Sequence, residues 1–102
     1  MTNDQLTAIL AERVMGWRAA PDRFIKPGRS WTPRSRFKPF VRLEDAFLLL
    51  DRGGCACLLS ITSNGVFTAE VHVGGRTGKA SGEPKARAIT VAICRALGIE
   101  GV

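Results

Sequence analysis

Four prolines at six-residue intervals exclude a helix over residues 17–42: Pro21, Pro27, Pro33 and Pro39. Proline has no backbone donor, and it restricts the residue before it to extended conformations. The segment also holds five of the seven aromatic residues of the chain, whereas a flexible linker is poor in aromatics. We therefore predict that residues 17–42 form an ordered, extended segment, called here the basic wrap, whose rings pack against the rest of the domain.

The charge of the chain is concentrated in the basic wrap, which contains eight of its fifteen basic residues and one acid, Asp22. The formal net charge of the whole chain is +6, which favours phosphate-bearing or acidic partners and excludes strongly cationic ones. The length of 102 residues predicts one domain, residues 1–102. No apolar run is long enough to cross a membrane, and the first residues carry no basic signal-like region. Three cysteines, an odd number, favour reduced thiols and a cytoplasmic location.

Two helices are predicted on either side of the basic wrap. The first covers residues 3–15, where Thr2 and Gln5 form a capping box and Gly16 ends the helix. The second covers residues 43–52 and is followed by two glycines. Helical spacing predicts that its buried face consists of Leu43, Ala46, Phe47 and Leu50.

A β-hairpin is predicted after the second helix. The first strand has an alternating apolar pattern whose predicted buried residues are Cys57, Leu59 and Ile61. The second strand covers residues 67–73, and Asn64-Gly65 between the strands predicts a type I′ turn with positive φ at both positions. A short third strand follows at about residues 76–80.

The last predicted helix covers residues 83–97, with Ser81 or Gly82 as its N-cap and Pro84 near its first position. The element order is then helix, wrap, helix, three strands and helix. The fold class that follows is α+β, with a small antiparallel sheet of about three strands packed against helices.

A glycine-rich segment before the last helix is the first candidate binding site. Backbone amides and the positive end of the helix dipole attract anions at a helix N-terminus. The residues that we predict to contact a phosphate-bearing ligand there are Arg76, Lys79, Ser81, Gly82, Lys85 and Arg87. The segment is not a P-loop, because Val73 stands where that motif needs glycine. The alternative is a turn and a helix cap with solvated bases.

The basic wrap is the second candidate binding site. Arginines next to aromatic rings clamp phosphates and stack bases. The candidate ligand-binding residues there are Arg29, Trp31, Arg34 and Arg36. For Trp17 and Phe40 we instead predict a place in the core, and for Trp31 the two interpretations are equally weighted.

Enzyme chemistry has little support in the sequence. The single histidine, His72, is predicted to be solvated or hydrogen-bonded, and no carboxylate pair or nucleophile elbow accompanies it. Cys55 and Cys57 do not have the spacing of a zinc or redox motif, and Cys57 is predicted to be a small buried side chain. We therefore predict a non-enzymatic protein without a metal or cofactor.

Three segments resemble a family of small phage and prophage proteins, the phage ABA sandwich domain family. They are Val14-Met15-Gly16-Trp17 at the end of the first helix, the helix Leu43–Leu50, and Ala92-Ile93-Cys94-Arg95-Ala96-Leu97 in the last helix. The resemblance implies an α/β sandwich of viral or prophage origin, located in the host bacterial cell. It implies no catalytic residues.

Residues 55–98 also resemble the second half of a double-stranded RNA-binding domain. The likeness is carried by residues 67–75, by Gly78 and by residues 81–88, and it implies that Lys85 and Arg87 contact phosphates. The chain departs from that pattern at Ser63-Asn64-Gly65, where a tight turn replaces a long loop, and Glu83-Pro84 replaces basic residues.

Together these features predict a phage-derived accessory protein that binds a phosphate-bearing anionic ligand. The most specific version of this prediction is a sponge that sequesters a nucleotide immune signal of the host, which is an anti-defence activity. Such a protein should enclose its ligand, often between subunits of a homo-oligomer. The alternatives are a nucleic-acid-binding protein and an inhibitor that docks on an acidic host defence protein.

Overall fold

The computed structural model describes residues 1–102 and contains three α-helices and six β-strands. The helices are α1 (Asn3–Leu10), α2 (Leu43–Arg52) and α3 (Lys85–Ala96). The strands are β1 (Arg18–Ala19), β2 (Arg23–Ile25), β3 (Trp31–Pro33), β4 (Ala56–Ile61), β5 (Phe67–Val73) and β6 (Arg76–Ser81). The predicted α+β class is confirmed. None of the helices has the length and apolarity needed to span a membrane.

Helix α3 is the centre of the fold. Nine of its twelve residues are buried, because it packs against β5 and β6 on one side and against α2 on the other. The sheet β4–β5–β6 is antiparallel, with β5 in the middle. Alternate residues of β5 point towards α3, and Ala69 and Val71 are fully buried there.

The basic wrap contains regular secondary structure and is not only an extended segment. Its strands β1, β2 and β3 form a second antiparallel sheet, which the sequence analysis did not predict. Three of its rings, Trp17, Phe24 and Phe37, form one buried cluster with centroid separations of 5.1 to 6.0 Å. Phe40 is also buried, so the core positions predicted for Trp17 and Phe40 are confirmed.

The helix boundaries follow the predicted signals at α1 and α2. Thr2 and Gln5 form the predicted capping box. The helix becomes a π-helical turn at Ala11–Met15, and Gly16 ends it with a φ of 72°. Helix α2 has the predicted bounds.

The start of α3 and the β4–β5 turn differ from prediction. Helix α3 begins at Lys85 with Pro84 as its N-cap, and Ser81 belongs to β6. In the turn, only Gly65 has a positive φ, and the Gly65 N–H donates to the Thr62 carbonyl. A three-residue loop with glycine in the left-handed region therefore replaces the type I′ turn.

Several predicted core residues are exposed. On α2, Leu43 and Phe47 face solvent, and the buried positions are Ala46, Leu49 and Leu50. On β4, all six residues are exposed, including Cys57, Leu59 and Ile61. The reason is positional: α3 lies over β5 and β6 but does not extend over β4.

Gly78 of β6 allows the close approach between the sheet and α3. A Cβ atom placed on Gly78 would overlap the Ala92 carbonyl oxygen and the Ala96 amide nitrogen, and it would lie 3.0 Å from the Arg95 Cβ. The first two obstacles are helix backbone atoms, which cannot rotate away. Gly78 is therefore required for packing rather than for an unusual φ.

We expect Gly78→Ala to lower the free energy of unfolding by about 1–3 kcal/mol or more, because overpacking forces backbone shifts. Thr77→Ser is the matched control, since Thr77 points to the open face of the same strand and serine keeps the hydroxyl that contacts His72 Nδ1. Thermal and denaturant unfolding of both variants provide the measurement. Equal losses would contradict the role of this close approach.

A buried hydrogen bond ties the end of the basic wrap to α3. The Thr90 hydroxyl, which is fully buried, donates to the Pro39 carbonyl at 2.6 Å. Thr90→Val should destabilise the protein by about 1–3 kcal/mol, because the Pro39 carbonyl would remain buried without a donor. Thr90→Ser keeps the hydroxyl and should lose less in the same unfolding experiment. The reverse order would show that the methyl group matters more than the hydrogen bond.

Candidate functional site

The largest cavity of the protein is a groove of about 510 Å³ between the basic wrap and α2. We call it the basic groove, and its lining residues are Met15, Trp17, Lys26, Pro27, Ser30, Leu48 and Arg52. They come from the π-helical turn, the basic wrap and α2. The volume lies in the range of small-molecule sites, about 300–1,000 Å³.

A tight turn positions the wrap side of the basic groove. Strand β2 ends at Ile25, and the Lys26 N–H donates to the Ser30 carbonyl at 2.9 Å, which closes the turn over residues 26–30. The Lys26 ammonium lies 5.0 Å from the centre of the Trp17 ring. Trp17 itself makes an edge contact with Phe37, so the buried aromatic cluster supports this wall of the groove.

Positive charge in the basic groove is not neutralised by the protein. Neither Lys26 nor Arg52 forms an ion pair, and no carboxylate lines the groove. The two smaller cavities differ, because both contain Asp4 and Lys38, whose charged atoms are 3.5 Å apart. Two unpaired cations in one groove are complementary to a negatively charged ligand.

Several groups of the glycine-rich segment before α3 that were predicted to bind a ligand make contacts within the protein instead. Lys79 pairs with Glu70 at 3.2 Å. The Ser81 hydroxyl lies 3.3 Å from the Thr68 hydroxyl, and the Gly82 N–H donates to the Phe67 carbonyl. The expectation of a free Gly82 amide is therefore not met.

The cations of this segment are also divided between the two ends of α3. The Arg76 guanidinium lies beside Gly98, after the C-terminus of the helix. Lys85 and Arg87 occupy the first turn, and a twelve-residue helix is about 18 Å long. The structure thus places Lys85 and Arg87 in the same turn and separates them from Arg76. Lys85 places its ammonium 5.9 Å from the Phe67 ring centre, and Arg87 is exposed.

The four wrap residues that were predicted to bind a ligand do not form one site, because each lies in a different local environment. Arg34 donates to the Ala20 and Asp4 carbonyls at 3.3 Å and lies over the Phe24 ring, so its contacts hold the wrap in place. Trp31 is 54% exposed, with the Arg23 guanidinium 4.4 Å from its ring centre. Arg29 and Arg36 are exposed on two short 3₁₀ turns.

Neither Lys26 nor Arg52, the two cations of the basic groove, was predicted from the sequence to bind a ligand. Lys26 is one of eight bases in the wrap, and Arg52 is an ordinary basic residue in the last turn of α2, where a cation is favourable. The one local sequence feature that could have indicated the groove is the pair Met15 and Trp17, which flank the glycine that ends the first helix. Residues 26 and 52 meet only through tertiary packing.

A polar chain of hydrogen bonds crosses the open face of the sheet. His72 Nε2 lies 2.9 Å from Glu70 Oε2, and His72 Nδ1 lies 3.0 Å from the Thr77 hydroxyl. The predicted hydrogen-bonded state of His72 is confirmed. The order of groups resembles a nucleophile with its base, but none of the three lines a cavity where a substrate would be held.

All three cysteines are free thiols. Burial raises the pKa of Cys94 to about 11, and desolvation also raises the pKa values of Cys55 and Cys57. A raised pKa disfavours the thiolate, which is the reactive form. No group of three or more His, Cys, Asp or Glu side chains is arranged to hold a metal ion.

Comparison with known proteins identifies a shared fold. No protein-family model and no curated protein matches the sequence. Among solved structures, the chain is similar to a phage protein from Bacillus cereus ATCC 14579, with a TM-score of 0.76 and 18% sequence identity. The match covers 100% of this chain and 93% of the other. At this identity the likeness shows the fold alone, so the phage ABA sandwich assignment stays a prediction.

The open-face network makes stability depend on pH. A hydrogen bond from His72 and then one from Lys79 lower the pKa of Glu70 below its usual 4.5. A lowered pKa stabilises the folded state above the unfolded value, and this contribution is lost as the pH falls through the folded pKa. Glu70→Gln should therefore lower the melting temperature at pH 7, and the difference from wild type should shrink below about pH 4.5.

Glu100→Gln is the control, because Glu100 forms no ion pair. Its melting temperature should follow wild type across the same pH series. A Glu70→Gln deficit that does not change with pH would show that the variant acts through packing.

Proposed function

We propose that this chain is a non-enzymatic, phage-derived accessory protein that binds a phosphate-bearing ligand in the basic groove. The observation that carries the proposal is the pair Lys26 and Arg52, two cations without acidic partners that line one groove. Phage origin is supported by the fold shared with a phage protein. Charge-assisted hydrogen bonds to phosphate contribute about 1.5–3 kcal/mol each.

The size and lining of the groove favour a nucleotide over a simple phosphate ion. Met15, Pro27 and Leu48 supply apolar surface for a base or a sugar, and the Ser30 hydroxyl donates or accepts a hydrogen bond. The groove encloses a volume that suits one small molecule rather than a polymer. These features support the sharper proposal of a sponge that sequesters a nucleotide immune signal of the host.

The chemistry of the lining supports binding without turnover. The charged groups of the groove are the side chains of Lys26 and Arg52, and Ser30 has no histidine or carboxylate beside it there. General acid–base catalysis needs a group that exchanges a proton near the working pH. The groove supplies positive charge for an anion but contains no histidine or carboxylate for that role.

A second candidate is nucleic-acid binding at the start of α3. Residues 43–96 have the order helix, three antiparallel strands and helix, and Lys85 and Arg87 are exposed there without acidic partners. The resemblance of residues 55–98 to the second half of a double-stranded RNA-binding domain implies phosphate contacts by these two residues. Affinity for a polymer should increase with its length and fall steeply with salt.

Two double variants distinguish these sites. Lys26→Ala with Arg52→Ala removes the groove cations, and Lys85→Ala with Arg87→Ala removes the same number of charges at α3. We expect the groove variant to lose about a hundredfold or more in affinity for a nucleotide, because two charge-assisted contacts disappear. The α3 variant should bind within about threefold of wild type, a difference below about 1 kcal/mol.

The ligand for this experiment comes from mass spectrometry of small molecules that copurify with the native protein, followed by calorimetric titration. The same two variants are titrated with RNA duplexes of increasing length. A loss confined to the α3 variant, with length-dependent duplex binding, would replace the sponge by the nucleic-acid function. Binding of an acidic protein that neither ligand displaces would favour the inhibitor alternative.

A further inference from the structure

We propose that strand β4 is the contact surface for a second copy of this chain, which pairs with it as an antiparallel strand to form a six-stranded sheet across a twofold axis. This inference goes beyond the proposed function and does not depend on it. It rests on the exposure of β4, on the absence of charged residues in β4 and its turn, and on the contrast with the other edge of the sheet.

Strand β4 is an apolar strand without a cover. Its sequence is ACLLSI, and each of its six residues is exposed. Leu58 and Ile61 are each 62% exposed, although they point to opposite faces of the sheet. An occupant that covers only one face would leave the other uncovered, whereas an added strand lies beside β4 and contacts both.

The backbone of β4 is also open. It pairs with β5 through an uninterrupted register from Ala56 to Ile61, and no strand lies on its other side. Natural edge strands are protected by charged side chains, prolines or bulges. Strand β4 has none of the three, so its outer N–H and C=O groups are available to a partner strand.

The opposite edge of the sheet is protected. The Arg95 guanidinium donates to the Lys79 carbonyl of β6 at 2.6 Å. Strand β6 also carries Arg76 and Lys79, so two copies meeting at this edge would bring like charges together. The sheet therefore has one free edge, β4, and one edge closed by charge.

The distribution of charge in the chain favours a second copy as the partner of β4. The chain has no charged residue from Gly53 to Ala69, although its net charge is +6. An acidic partner would be attracted to the basic surfaces and gains no ion pair at β4. Two copies, in contrast, repel each other except where their surfaces are neutral. The residues of β4 and its turn are uncharged, and Glu70, which lies opposite Leu58 in the register, is already paired with Lys79.

The symmetry of an antiparallel pair is consistent with this choice. A twofold axis perpendicular to the sheet places the same face of both copies on the same side. Cys57, Leu59 and Ile61 of the two copies then lie together between the two α3 helices, and the two Leu58 side chains share the open face. Six-residue strands overlap over about 20 Å. The alternating apolar pattern of β4 thus becomes buried in the dimer.

The test uses ligand-free protein, so its outcome is separate from that of the groove experiment. Sedimentation equilibrium over a range of concentrations measures the dimer dissociation constant for wild type, Leu58→Lys, Ile61→Lys and Val41→Lys. Val41 is the matched control, because it is an apolar residue outside β4 with 63% exposure. Circular dichroism and thermal melts verify that each variant is folded.

We expect wild type to dimerise and each β4 variant to raise the dissociation constant by about tenfold or more, because two lysines enter each interface. Val41→Lys should leave it unchanged. Hydrogen exchange of wild type should show protection of consecutive β4 amides in the dimer, whereas an edge strand protects only alternate ones. A monomer at all concentrations, a dimer insensitive to both β4 variants, or equal weakening by Val41→Lys would each overturn the proposal.

Discussion

The close packing of α3 on β6 at Gly78 is the interaction on which the placement of α2 and of the end of the basic wrap depends. With only a hydrogen atom at Gly78, the strand lies directly against the helix backbone at Ala92 and Ala96. That contact fixes which side of α3 faces the sheet, and the remaining buried face then accepts α2. The Thr90 hydroxyl, buried on the same helix, holds the Pro39 carbonyl and so fixes the end of the basic wrap. The basic groove lies between the wrap and α2 and thus depends on this helix.

The distribution of ion pairs separates structural cations from those available to a ligand. Only four of the fifteen Lys and Arg side chains pair with a carboxylate: Arg23, Lys38, Arg42 and Lys79. Others donate to backbone carbonyls, as Arg34 and Arg95 do, and hold segments together. Lys26 and Arg52 do neither, and they share a groove whose other walls are largely apolar. Unpaired charge beside apolar surface is the pattern of a site for a small anion with a hydrophobic part.

The two proposals occupy different parts of the molecule and rest on different physics. At the basic groove, uncompensated positive charge selects an anion. At β4, the lack of charge on a basic protein selects another neutral surface, and an open strand edge supplies the backbone hydrogen bonds. The two proposed sites share no residue, so a ligand and a second copy would bind at separate places.

Local patterns in the sequence determined most of the secondary structure, because each depends on neighbours within a few residues. The capping box at Thr2, the bounds of α2 and the order of β4, β5, β6 and α3 are of this kind. The prolines excluded a helix from the wrap, but its pairing into a second sheet was not predicted. Tertiary structure alone decided three features: the exposure of β4, the separation of Arg76 from Lys85, and the meeting of Lys26 with Arg52. The physical reason is that an alternating pattern or a charge in the sequence shows which side chains are able to be buried or to bind an ion. Which residues surround a side chain depends instead on how distant segments of the chain pack together.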